Sequence, residues 1–205
     1  MANLNTLFDF SKFDKRKTAS QQEFEEQNKQ LLIDYKNEVP ESFKKLHQRV
    51  LAAIEPIDQD KNLCAVVMSG YLTGFFKRKY PHYCGKATKQ RFKLCISNTN
   101  VYIKKLDEKS KLPSNIPTDE SLKIHFQLTD STDKECNIFL GYTVSEDWSI
   151  LTGTYALCIE GEEKIWISDL SGLDSDNLSP VVTMKPTPIA PKVKEGAKRK
   201  KIQNE

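Results

Sequence analysis

Apolar positions along this chain recur with two different periods, and the change between them near residue 80 divides it. The first part reads as helical. Ser20-Gln21-Gln22-Glu23 has the form of a capping box, in which the Ser and Glu side chains satisfy free amides at a helix start. It predicts a helix over 20–38 with an apolar stripe of Phe24, Leu31, Leu32 and Tyr35. Pro40 sits where a second helix begins. Phe43, Leu46, Val50, Ala53 and Ile54 then return at steps of three and four up to Pro56, so the two helices are expected to form a hairpin. Asp60 is placed to cap a third helix, 63–79, with Lys77, Arg78 and Lys79 at the end where cations are favoured. This segment is apolar on all sides, which predicts the most buried element; the pair Val66-Val67 leaves a strand as the alternative for its first half.

Pro81 and Gly85 then break the chain into a basic loop over 82–90, and beyond it the period becomes two. Phe92, Leu94 and Ile96 alternate with Lys93, Cys95 and Ser97, a turn spans 97–100, and Val101 and Ile103 alternate with Tyr102 and Lys104. This is a hairpin with one basic edge or face. A polar linker over 107–119 precedes further strands at 122–128, 136–144, 153–160 and 164–168, the last two joined by a tight turn at Gly161-Glu162-Glu163. The expectation is an α+β fold: about three N-terminal helices on one face of a mostly antiparallel sheet of five to six strands. Residues 1–19 read as an aromatic and basic arm, 20–170 as a single α+β domain, and 171–205 as a flexible Pro-rich basic tail.

Charge sharpens the picture through its distribution. The chain of 205 residues has 31 Lys and Arg against 28 Asp and Glu, so its net charge of +3 says little. Segment by segment the net charge is −2 over 1–60, +10 over 61–106, −10 over 107–184 and +5 over 185–205. The window 61–106 holds ten basic side chains and no acid. Within it, cations interleave with Phe75, Phe76, Tyr80, His82, Tyr83 and Phe92, the composition that a phosphate backbone and exposed bases would select. The alternative is that the acidic second half folds back and neutralises the window.

Motifs for chemistry are sparse. The five cysteines are scattered without a C-x-x-C pair, and no secretory signal opens the chain, so reduced thiols in an intracellular, cytoplasmic or nuclear setting are expected. No apolar run reaches the ~20 residues of a membrane span. A Walker loop, G-x-G-x-x-G and G-x-S-x-G are all absent. Cys64, His82, Cys84 and Cys95 offer only one close pair for a metal, fewer than structural zinc sites use. The carboxylates at Asp130, Asp133 and Glu135, and at Asp169, Asp174 and Asp176, lie where turns are expected. No cofactor is expected.

At the N-terminus, Thr6-Leu7-Phe8-Asp9-Phe10 resembles the leucine- and aromatic-bearing peptides with which replication proteins grip sliding clamps, without their leading Gln. Leu7, Phe8 and Phe10 therefore read either as an arm packed on the body or as a docking motif for a protein partner. The abundance of Lys and Asn suits an AT-rich genome such as that of a virus or phage. The leading expectation is a non-enzymatic accessory protein that holds DNA or RNA with weak sequence preference within a replication, transcription or RNA-handling complex. Its contacts are assigned to Lys77, Arg78, Lys79, Tyr80, Tyr83, Lys86, Lys89, Arg91, Phe92 and Lys93, with Lys198, Arg199, Lys200 and Lys201 in the tail. The rivals are an assembly subunit whose basic block meets an acidic protein surface, and a divalent-metal nuclease using Asp130 or Asp133.

Overall fold

The computed structural model of the chain describes residues 8–55, 60–86, 91–113, 118–130 and 135–173. Helix α1 (Gln21–Gln27) starts on the predicted capping box, with Ser20 Oγ accepting from the Glu23 amide and the Glu23 carboxylate accepting from the Ser20 amide. It ends at Asn28, whose side chain donates to the Phe24 carbonyl at 2.9 Å, and α2 (Lys29–Arg49) sets off from there. This second helix runs for 21 residues straight through Pro40, so the hairpin expected at that proline does not form. Pro40 lacks the N–H that would reach the Lys36 carbonyl, but it lies on the exposed side. The buried stripe Leu31, Leu32, Tyr35, Val39 and Leu46 passes behind it unbroken and outweighs the missing bond.

Helix α3 (Lys61–Lys79) is capped by Asp60, which accepts from the Asn62 amide at 3.0 Å. It buries only Cys64, Met68, Leu72 and Phe76, one stripe at every fourth residue, while Val66 is 69 % exposed. The expectation of an all-round buried helix fails because only one face meets α2 and the sheet.

Six strands, β2 (Cys84–Lys86), β3 (Phe92–Ile96), β4 (Thr99–Lys105), β6 (Cys136–Val144), β7 (Leu151–Glu160) and β8 (Glu163–Asp169), form the main sheet in the order β2-β3-β4-β6-β7-β8. Short strands β1 (Asp14–Lys15) and β5 (Leu128–Thr129) pair beside it. The β3–β4 hairpin closes on Ser97 and Asn98 at φ 49° and 55°, the two positive values that a type I′ turn requires. Pairing is antiparallel except between β4 and β6, so the sheet is mixed.

A parallel step needs a crossover. It contains helix α4 (Asp119–His125) followed by β5, where the alternation of 122–128 had predicted a strand. Local capping overrides that pattern: Thr118 Oγ1 accepts from the Ser121 amide and Ser121 Oγ accepts from the Thr118 amide. Asp119 and Glu120 in the first turn, and Lys123 in the last, suit the helix dipole. The predicted basic loop is also partly regular, with a 3-10 turn at Pro81–Tyr83 leading into β2; residues 87–90 lie outside the described ones.

The sheet is covered on both faces, not one. Helices α1 to α3 pack with Leu94, Val101, Ile138, Leu140 and Trp166 on the first face. On the second, Ile124 of α4 closes a smaller core with Tyr102, Leu106, Phe139, Leu157 and Ile159. Strand β6 lies between the two and is the most buried element, all nine residues of it inside. The N-terminal arm packs on the α4 side: Phe8 is buried and stacks on Phe13 at 5.3 Å, and Phe10 meets Phe126 edge-on at 4.8 Å. Leu7 lies outside the described residues.

Candidate functional site

Because side chains alternate along a strand, the β3–β4 hairpin sorts its residues by face. Phe92, Leu94, Ile96, Val101 and Ile103 join the core beneath α1 to α3. Lys93, Tyr102 and Lys104 line clefts on the α4 side. Lys105, next along, turns back to the first face, where its Nζ stands 5.6 Å from the Trp148 ring.

Two adjoining clefts result. The first, of about 160 Å³, lies at the start of β3 between α3 and α4 and is lined by Arg91, Phe92, Lys104 and His125, with Ser69 and Thr73 from α3. No Asp or Glu is among its described lining residues. The second, of about 330 Å³, shares Tyr102 and Ile124 with the first and adds Arg16, Lys93 and Lys123, with Glu120 and Asp130 as its acids.

These cations differ in their surroundings. Lys93 Nζ donates to Asn100 Oδ1 at 2.8 Å, a neutral acceptor that leaves its charge in place. Arg16 donates to the Leu128 and Glu135 carbonyls at 3.1 and 2.9 Å and thereby ties the arm to the body. Lys123 is neutralised by Asp130 at 2.8 Å. Arg91 Nη2 donates to Thr118 Oγ1 at 3.4 Å. Burial, and then the Arg91 charge, hold the Lys104 ammonium below the usual lysine range. Burial, followed by Lys104 and Arg91, lowers the His125 imidazole to about 4.

The end of α3 forms a second group. Lys77 Nζ lies 6.0 Å from the Phe92 ring, beside the first cleft, and Arg78 is exposed. Lys79 pairs with Asp34 at 2.8 Å, and the Tyr80 hydroxyl donates to the same carboxylate at 2.5 Å. Burial and then Asp34 push the Tyr80 phenol far up, and its ring stacks on Phe76 at 5.8 Å. Both residues thus have structural duties within the fold. Tyr83 is 47 % exposed, Lys86 sits in β2, and Lys89 and the four tail cations 198–201 lie outside the described residues.

The structure therefore joins Arg91, Phe92 and Lys93 of the predicted set to Arg16, Lys104, Lys123 and His125, which the sequence-based assignment of contacts omits. Lys104 was signalled by the period-two pattern of its strand. His125 and Lys123 were signalled by the Thr118 cap and the charge order of α4, a helix read as a strand.

Among the described residues no group of His, Cys, Asp or Glu could hold a metal ion, and Cys84 Sγ instead donates to the Tyr80 carbonyl at 3.1 Å. No helix among them is long and apolar enough to cross a membrane. Comparison of the chain with protein-family models, curated proteins and solved structures finds no match.

Proposed function

We propose that this chain is a non-enzymatic nucleic-acid-binding accessory protein and that the α4-side groove of the β3–β4 hairpin receives the phosphate backbone. The observation that carries this reading is the placement of Arg91, Lys93 and Lys104, all from the acid-free window, along two adjoining clefts. Lys77 and the exposed Arg78 extend the positive surface past Phe92. The second cleft brings Tyr102 and polar walls to the groove, a surface that suits the backbone of a single strand.

Fluorescence anisotropy with labelled single-stranded and duplex oligonucleotides tests this on the full chain and on a chain lacking residues 185–205. Five phosphate contacts would weaken single-strand binding on the order of 100-fold between about 50 and 200 mM salt. Steep salt dependence that survives tail removal supports the groove. Binding lost with the tail moves the function to residues 185–205. Absence of binding at low salt overturns the proposal and favours the assembly-subunit reading, whereas metal-dependent cleavage of the probe favours the nuclease.

A further inference from the structure

The first cleft differs from the rest of the groove in size and in charge. At about 160 Å³ it falls below the ~300 Å³ at which sites for drug-sized ligands begin. It has room for one small polyatomic group and part of what carries it. Arg91, Lys104 and His125 line it together, and no carboxylate is among the described residues of the lining. The Arg91 charge acts on Lys104, and the Lys104 and Arg91 charges act on His125. Folding has concentrated positive potential in a partly buried cleft of low polarisability, where an anion gains more than it would at an exposed lysine. Ser69 and Thr73, one turn apart on α3, add hydroxyls on one wall, and Phe92, Ile103 and Phe139 supply an apolar surround. An Arg fork, a Lys point charge and neighbouring hydroxyls make a donor set suited to tetrahedral oxyanions.

We propose that this cleft is a binding site for a phosphomonoester dianion, met either as a free phosphate compound or as the terminal phosphate of an oligonucleotide. Arg91 offers the paired donors, Lys104 the point charge, and His125 gains a proton or a hydrogen bond as the incoming anion offsets its cationic neighbours. The site does not depend on the nucleic-acid reading, since a small phosphate compound can occupy it in a chain that binds no strand.

Calorimetric and NMR titrations of the full chain at matched ionic strength separate the sources. The probes are inorganic phosphate, a nucleoside 5′-monophosphate, and one oligonucleotide carrying either a 5′-phosphate or a 5′-hydroxyl. The expected result is saturable binding of at least one phosphomonoester, with movement of the His125 ring resonances. Arg91→Gln and Lys104→Met, the latter keeping the buried stem, each weaken that binding at least tenfold, with folding checked by circular dichroism. If one variant fails to fold, the other and the His125 resonances still decide. No saturable binding of any phosphomonoester, or binding that leaves His125 unmoved and is unchanged in both variants, overturns the proposal. Equal affinity for the two oligonucleotide ends, with no binding of the small probes, overturns it as well while leaving the groove reading in place.

Discussion

Asp34 is buried and His125 half-buried, and burial acts on these two titratable side chains in opposite senses. Burial pushes the Asp34 carboxyl up, but donors from Lys79, Tyr80 and Gln30 outweigh it and hold the group below its ordinary value. The folded state therefore favours the ionised form, and its contribution is complete above the unfolded carboxylate value of about 4 and is lost as pH falls below that. His125 is held near 4 by burial and then by Lys104 and Arg91, so the folded state favours the neutral ring. Its contribution is complete above about 6.5, the value in an unfolded chain, and is lost as pH falls from there towards 4. Urea midpoints followed from pH 7 to 3 should fall in two stages. His125→Gln should remove the upper stage, and Asp34→Asn should shrink the lower, which Asp130 and Asp147, also held below the ordinary carboxyl value, share. Tyr80→Phe, which deletes a donor to a charged acceptor, should cost about 2 kcal/mol in the same assay. Lys79→Ala should cost less, because that ammonium is half exposed.

Two elements carry backbone features that single substitutions can probe. Pro40 interrupts the hydrogen-bond ladder of α2 on its exposed side. Pro40→Ala restores the bond to the Lys36 carbonyl and should stabilise the chain by about 1–3 kcal/mol, read as a higher thermal midpoint. The β7–β8 hairpin has the opposite sensitivity. Gly161 sits at φ +68°, and a Cβ there would meet Phe126 Cε1 at 2.6 Å, while its amide donates to the His125 carbonyl at 2.9 Å. Gly161→Ala should therefore destabilise by about 1–3 kcal/mol and shift the end of α4, which a change in the His125 resonances would report.

For the whole molecule, the acid-free window is one block in the chain but not one surface in space. Lys61 pairs with Glu146 at 3.1 Å and Lys105 stands over Trp148 on the first face, whereas Arg91, Lys93 and Lys104 line the two clefts beside α4. If the groove holds a strand, Arg91→Gln and Lys93→Gln should each lower the salt slope of oligonucleotide binding by about 0.7. Lys61→Gln and Lys105→Gln, from the same window, should leave the slope unchanged. Equal effects from all four would mean that overall charge, and not placement, governs binding.

The local events are written in the order of residues: the Ser20 and Asp60 caps, the Ser97-Asn98 turn, and the alternation that sends Lys93 and Lys104 to one face of β3 and β4. These rest on hydrogen bonds and dihedral preferences between residues a few positions apart, so a single chain displays them. Features that depend on distant partners emerged only on packing. The stripe behind Pro40 carried α2 through a residue that ordinarily stops a helix, and α3 kept Val66 in solvent because its buried stripe lies on the opposite side. The parallel pairing of β4 with β6 left α4 to cover the second face, and only that packing brought His125 to Arg91 and Lys104. Burial and the meeting of charges are properties of neighbours in space, and one linear pattern leaves open which neighbours those are.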